Sequence, residues 1–161
     1  MKMLEAEKDL DIYCAHEAGH ITYFLKMGAH ETEFAYKGPT IYFNFEINNF
    51  DFFPCAVAKP KKDVRDYEDL ELLAKASAAG GVFEKELEGS TTLGDKNDRF
   101  KFHTVYAIAL NVGIIPKETE QQMWDRAQDE VKSELGNESN LAAARKLAGE
   151  IKRKCFQIAS A

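Results

Sequence analysis

Cysteine is scarce in this sequence and never closely paired. The three cysteines, Cys14, Cys55 and Cys155, lie far apart and form no CxxC motif. A disulfide framework uses an even number of cysteines, and a thiolate zinc site uses closely spaced pairs. The sequence therefore argues against a disulfide-stabilised secreted fold and against a cysteine zinc site, and we expect a reducing, cytoplasmic location.

Long apolar runs are also missing. No stretch approaches the roughly 18 consecutive apolar residues of a membrane-spanning helix, and residues 1–10 are charged, unlike the apolar core of a secretory signal. We therefore expect no membrane span. A phosphate-binding loop of the form GxxxxGK[ST] is absent as well, so we expect that the chain by itself cannot use ATP to unfold a substrate.

Positive charge is in deficit. The chain has 27 acidic residues against 21 Lys and Arg, which gives a formal net charge of −6. Nucleic acids and anionic lipid surfaces are bound by clustered Lys and Arg. One basic cluster, at residues 146–154, alternates with apolar residues and is typical of the solvated face of an amphipathic helix. We predict that neither nucleic acid nor an anionic membrane surface is a partner.

The length and composition indicate one globular unit. The chain has 161 residues, of which 45% are hydrophobic, enough for one substantial core and too few for two comfortable ones. The sequence contains no internal repeat, no low-complexity tract and no linker-like segment. We therefore predict a single domain over residues 1–161.

The first part of the chain predicts a helix followed by extended segments. Residues 5–27 contain no proline and place apolar residues mostly at helical intervals. Residues 32–57 are instead rich in aromatic and β-branched residues, and apolar and polar residues alternate from Ile41 to Ile47, the period-2 pattern of a half-buried strand. Residues 50–58 are the expected pairing partner. We predict a small antiparallel sheet of two or three strands.

The remainder of the chain predicts about four helices. Apolar residues recur there at helical spacing, and Gly, Pro and Asn residues separate the segments. Because a helix and a small sheet precede them, the predicted fold class is α+β, mainly α-helical. The four predicted helices cover residues 62–87, 97–113, 116–135 and 139–158.

One motif carries recognisable chemistry. The sequence His16-Glu17-Ala18-Gly19-His20 is an HExxH motif inside the first predicted helix. Residues i and i+4 lie on the same helix face, so both imidazoles can bind one Zn²⁺ ion. Glu17 lies about 100° further around the helix, where its carboxylate can take a proton from a water activated by the ion. In the alternative interpretation, both histidines are partly buried helix residues and Glu17 is simply solvated.

Gly19 lies in the interior of the same predicted helix. Glycine at such a position costs about 1 kcal/mol relative to alanine. We therefore expect a second backbone segment, or a substrate, to approach this face closely; a merely tolerated glycine is the alternative.

A catalytic zinc site needs a third protein ligand and one open position. The residues that follow His20 contain no further histidine at the spacing of the extended motif, so the third ligand comes from a distant segment. Residues of ligand type in distant segments include His30, Glu84, Asp95 and His103.

Three segments together resemble a known family. The HEAGH sequence at 16–20 matches the metal-binding helix of the FtsH peptidase domain. Residues 79–84, AGGVFE, look like that family's GGRAAEE segment, and residues 91–98, TTLGDKND, look like its TTGASND turn. The chain thus resembles a stand-alone form of this peptidase domain without the ATPase.

The resemblance implies a zincin-like metal helix and a site in which His16, His20 and Asp98 bind zinc and Glu17 is the catalytic residue. A short carboxylate at a helix start suits a ligand, although acids at helix starts are commonly capping residues. Glu84 could instead orient a ligating histidine. The turn departs from the family pattern because Leu93 is an extra residue between Thr92 and Gly94.

The sequence is compatible with three functions. The leading hypothesis is a zinc metallopeptidase that cleaves peptides or unstructured segments, or that works with an ATPase partner in trans. The second is a regulatory protease that cuts a repressor and uses a Glu, such as Glu84, as the third ligand. The third is a non-catalytic, metal-stabilised interaction module. The resemblance implies hexameric rings, but the sequence leaves the oligomeric state open.

Overall fold

The structure is a computed structural model of the chain. It describes the backbone of residues 2–26, 34–44, 49–58, 64, 66–90 and 94–159, and the side chains of residues 10–26, 64, 66–90 and 96–153. The described elements follow in the order α1 (Lys2–Lys26), β1 (Phe34–Asn44), β2 (Asn49–Ala58), α2 (Tyr67–Glu88), α3 (Gly94–Asn111), α4 (Glu120–Leu135) and α5 (Glu138–Ala159).

The predicted α+β class is wrong. Among the residues whose side chains the structure describes, all regular elements are α-helices, and no strand or sheet lies there. In the part of the chain whose side chains are described, the buried members of both core clusters belong to helices. This part of the protein is therefore helical, because the class follows from the elements that build the core.

The extended backbone of the described residues lies in two paired strands. Strand β1 pairs antiparallel with β2, and the register shifts between Lys37 and Thr40. The predicted first strand ran from Ile41 to Ile47, whereas β1 ends at Asn44, and residues 45–47 lie outside the described part of the chain. Period-2 alternation thus indicated extended backbone here, but it could not indicate whether that backbone forms part of a core.

The helix boundaries follow from local capping. Helix α2 starts at Tyr67, later than predicted, because the Asp66 carboxylate accepts a hydrogen bond from the Asp69 amide at 2.9 Å. It ends at Glu88 and is capped by Gly89, whose φ of +67° is the left-handed conformation that glycine adopts without strain. Helix α4 starts after Thr119, which forms a capping box with Gln122.

Helix α2 lies at the centre of the fold. It packs against α1, α3 and α4, and α5 packs mainly against α1, with a smaller contact to α4. One side of α2 contributes Ala76, Ala79 and Phe83 to the first core cluster, and another contributes Leu70 and Ala74 to the second. The small alanine side chains let the neighbouring helices approach α2 closely, which brings polar groups on α1 and α3 near its backbone.

Gly19 lies at the closest approach of α1 and α2. A Cβ atom at Gly19 would lie 2.3 Å from the Ala79 carbonyl oxygen, far inside van der Waals contact. The expectation that another backbone segment comes close to this face is therefore confirmed. This contact places the HExxH face of α1 directly against the middle of α2.

Candidate metal centre

The imidazole rings of His16 and His20 converge through their Nε2 atoms. They lie one turn apart on α1, and their Nε2 atoms are 2.9 Å from each other. Both residues are buried, at 7% and 8% exposure. Such close approach of two ring nitrogens is favourable when both bind one cation, or when one of them carries a proton that the other accepts.

Asp98 joins the two histidines from α3. Its Oδ2 atom lies 2.9 Å from the Nε2 atom of His16 and 3.0 Å from the Nε2 atom of His20. Helix α3 begins at Gly94, so Asp98 lies in the second turn of the helix. It therefore does not cap the helix start. The carboxylate is directed into the fold, toward the imidazoles.

The three donor atoms fit a zinc ion. They form a triangle with edges of 2.9, 2.9 and 3.0 Å. In a tetrahedral site with bonds of about 2.0–2.1 Å, donor atoms lie about 3.3–3.4 Å apart. Zinc would therefore move the donors apart by only a few tenths of an ångström. Among the described residues, this is the group of His, Cys, Asp and Glu side chains that could hold a metal ion.

The second nitrogen of each imidazole has a partner on α2. His20 Nδ1 donates a hydrogen bond to the Ala76 carbonyl oxygen at 2.7 Å, and His16 Nδ1 lies against the fully buried Glu84 carboxylate. When Nδ1 carries the proton, the Nε2 lone pair is free to bind a metal. Glu84 is thus placed to orient a ligand, because it contacts the imidazole atom that faces away from the donor triangle.

Gly80 forms one wall of the candidate site. A Cβ atom at this position would lie 2.6 Å from His20 Nε2 and 2.8 Å from His16 Nε2. The space next to the donor triangle is therefore open only because residue 80 has no side chain. The sequence contained a signal for this wall, since two adjacent glycines inside a helix are costly, but it did not say what they faced.

The charges around the site favour a cation at the imidazoles. Burial by itself lowers the pKa of His16, but hydrogen bonds to Asp98 and Glu84 outweigh it and raise that pKa to about 10. Burial raises the pKa of Asp98, and hydrogen bonds from His16 and His20 reverse this and hold it well below its usual range. Two buried carboxylates thus surround two imidazoles, and either a proton or a divalent cation can balance them.

Glu17 and the other candidates differ in their position. Glu17 is partly buried on α1 and close enough to His16 to help raise the pKa of that imidazole. His103 is 60% exposed, and its Nδ1 atom lies 2.7 Å from a carboxylate oxygen of Glu120, so the structure does not bring it to the donor triangle. The side chains of His30 and Asp95 lie outside the described residues.

Arg99 fixes the part of α3 that carries Asp98. Its Nη1 atom lies 2.6 Å from a carboxylate oxygen of Glu120, and its guanidinium carbon lies 5.4 Å from the centre of the Trp124 ring. These two residues and Gln121, to which Arg99 also donates a hydrogen bond, are on α4, so neighbouring side chains connect Asp98 to α1 and Arg99 to α4. Contacts on both sides of this turn of α3 thus keep the Asp98 carboxylate next to the two imidazoles.

Substituting Gly80 by Ala is expected to weaken zinc binding while the helical fold persists. The imidazole rings can turn away from the added methyl group, but they then leave the donor triangle. We expect zinc affinity to fall by about 10- to 100-fold, as when groups that orient ligating histidines are changed. Competition with a chromophoric chelator measures this. Gly149→Ala is the control, because a Cβ there meets nothing within 4 Å; equal zinc affinity in both variants would contradict the assignment of the wall.

Comparison with known proteins gives no match: the chain matches no protein-family model, no curated protein and no solved structure. None of the helices in the described part of the chain combines the length and the apolar character that crossing a bilayer requires.

Proposed function

We propose that this chain is a zinc-dependent metallopeptidase that hydrolyses peptide bonds in peptides or unstructured segments. The observation that carries the proposal is the convergence of His16, His20 and Asp98, whose donor atoms lie 2.9–3.0 Å apart. Two histidines and one carboxylate are a donor set of hydrolytic zinc sites, which keep a fourth position for water or substrate. Glu17 adds a carboxylate next to this set.

The residues of the chain then have separate tasks. Zinc, when bound, acts as a Lewis acid that makes water more acidic and polarises a carbonyl group. The Glu17 carboxylate accepts a proton from the attacking water and passes it to the amine nitrogen as the peptide bond breaks. Glu84 and the Ala76 carbonyl group hold the imidazoles with Nε2 toward the ion, so the ligands need little rearrangement on binding.

The proposal includes a relationship to the FtsH peptidase domain and a cytoplasmic location. The relationship is supported by the sequence motifs at 16–20, 79–84 and 91–98. A chain without a phosphate-binding loop acts on segments that are already unfolded, or it receives them from an ATPase partner in trans. A Glu third ligand is disfavoured, because Glu84 contacts His16 through Nδ1 rather than through Nε2.

A second candidate function is a non-catalytic, metal-stabilised interaction module. The low exposure of the ligands favours it, since the side chains of His16, His20 and Asp98 are only 9–11% exposed. A structural zinc site has all four positions closed by protein, whereas a catalytic site exchanges water at one of them. The two functions therefore differ in whether water or another small ligand can reach the fourth position of the metal ion.

Removal of the metal tests the proposal directly. We expect the purified chain to contain about one zinc per molecule, as one set of three protein ligands implies, and to cleave an unstructured fluorogenic peptide. Dialysis against a chelator should abolish cleavage, and added Zn²⁺ should restore it. Metal-independent cleavage would contradict the peptidase mechanism. Zinc that raises the unfolding temperature without any cleavage would favour the interaction module.

A further inference from the structure

The exposed apolar side chains of this protein are concentrated on one short segment. Six large hydrophobic residues are exposed in the described part of the chain, and five of them lie between residues 100 and 115. Single exposed apolar residues are common on soluble proteins, but a concentration in one place marks an interaction surface. The five residues are Phe100, Ile108, Leu110, Val112 and Ile115.

Helix α3 is therefore apolar on two sides. One side buries Phe102, Tyr106 and Ala109 in the second core cluster. On the side away from the core, Phe100 and Ile108 are 70% and 56% exposed and lie two turns apart. Residues at i and i+8 are neighbours along one ridge of a helix, and such ridges pack into the grooves of partner helices. A helix with apolar residues on both sides is normally covered on both.

Among the described side chains of residues 96–117, the exposed formal charges are positive. Lys96, Lys101 and Lys117 are exposed, and Asp98, the one acid in this range of the sequence, is buried at the candidate metal centre. Neither Lys96 nor Lys101 has an ion-pair partner among the residues that the structure describes. This local excess of positive charge contrasts with the net charge of −6 for the whole chain.

We propose that this surface docks an acidic, amphipathic segment of another protein. We call it the α3 outer face and define it as Phe100, Ile108, Val112 and Ile115 with the flanking Lys96 and Lys101. Apolar side chains of the partner cover the ridge, and its carboxylates meet the lysines, the complementarity that gives an interface its specificity. The proposal goes beyond the peptidase function, since no residue of the face is a metal ligand.

Two other occupants fit less well. In a symmetric dimer through α3, the same face is present on both copies, so the second molecule brings lysines and no exposed carboxylate of this face to meet Lys96 and Lys101. An anionic membrane attracts the lysines, but the net charge of −6 on the chain opposes binding to such a surface. An acidic protein segment avoids both problems. It brings carboxylates to the lysines, and it contacts only the α3 outer face instead of a broad part of the negatively charged chain.

A defined peptide tests the proposal. The probe is a fluorescein-labelled helical peptide of about five turns, roughly 18 residues, with leucine at i, i+4 and i+7 positions and glutamate elsewhere; a second peptide has lysine in place of glutamate. Binding to the 161-residue chain carrying Glu17→Gln, which prevents cleavage of the probe, is measured by fluorescence anisotropy. We expect the acidic peptide to bind at least about tenfold more tightly than the basic one.

Substitutions locate the binding to the face. The double variant Phe100→Ser/Ile108→Ser, and separately Lys101→Glu, should each weaken binding of the acidic peptide by about tenfold or more. The matched control is Leu25→Ser, which changes an exposed leucine, 43% exposed, outside the face. All four side chains are exposed enough that circular dichroism should show unchanged folding.

Several results would overturn the proposal. One is that the acidic peptide binds no more tightly than the basic one. Another is that the double variant binds the acidic peptide as tightly as the parent chain does. Binding to phosphatidylserine vesicles that the double variant loses, without peptide binding, would assign the face to a membrane. A dimer in sedimentation velocity that the double variant abolishes would assign it to a second copy. None of these outcomes depends on whether the chain cleaves peptides.

Discussion

Substituting Glu17 by Gln is expected to abolish peptide cleavage while the protein keeps its zinc. The substitution retains the size of the side chain and removes the carboxylate that accepts a proton from water. General-base catalysis contributes about 10²- to 10⁴-fold to a rate, so kcat should fall by that factor. The metal ligands are unchanged, and zinc content should remain that of the parent chain. A fluorogenic peptide assay and metal analysis of the same preparation measure both quantities.

A second glutamate provides the control for this prediction. Glu88 is exposed at the end of α2, and Glu88→Gln makes the same chemical change away from the site. It should leave both kcat and zinc content unaltered. If the Glu17→Gln protein cleaves the peptide at the parent rate, Glu17 is not the catalytic base. If it cleaves slowly but has also lost its zinc, the substitution has disturbed the ligands instead.

Substituting Asp98 by Ala is expected to remove most of the bound zinc. Asp98 is the anionic donor of the triangle, and without it the two imidazoles alone must hold the ion. We expect zinc affinity to fall by more than about 100-fold, beyond the 10- to 100-fold cost of altering groups that only orient a ligand. Metal analysis after gel filtration, with circular dichroism as the check on folding, measures the change. Asp129→Ala, on the exposed surface of α4, is the control and should bind zinc normally.

Glu84 separates the two kinds of zinc site that the sequence left open. Glu84→Gln retains a hydrogen-bonding group next to His16 Nδ1 but removes its charge, so we expect zinc affinity to fall less than in the Asp98→Ala protein. The opposite order, with zinc lost on changing Glu84 and retained on changing Asp98, would mean that Glu84 is the third ligand. The regulatory-protease hypothesis would then replace the present one.

The local part of the site could be predicted from the sequence. An HExxH motif within a helical pattern puts His16 and His20 on one face, because the geometry of a helix fixes which residues are neighbours one turn apart. The need for close packing at Gly19 was predictable in the same way, from the cost of glycine inside a helix. Asp98 came only from resemblance, since no local rule connects residues so far apart in sequence.

The resemblance and the structure agree on which residues meet, and their roles as metal ligands remain predictions for the experiments above. Sequence reasoning missed Gly80 as a wall of the site and the Ala76 carbonyl group as the partner of His20. The two adjacent glycines indicated a special position but not what it faces, and a backbone carbonyl group leaves no distinctive letter in a sequence. For Glu84 the sequence allows a ligand or an orienting group, and its contact with His16 Nδ1 distinguishes the two.

The amino-acid sequence by itself determined the helices of this protein and the face of α1 that carries the HExxH motif. The tertiary structure decided the helical class, the meeting of Asp98 with the histidines and the exposure of the outer face of α3. The physical reason is that periodicity records which side chains share a face of one element. Which faces then pack together depends on close contacts between elements distant in sequence, such as that of Gly19 with Ala79.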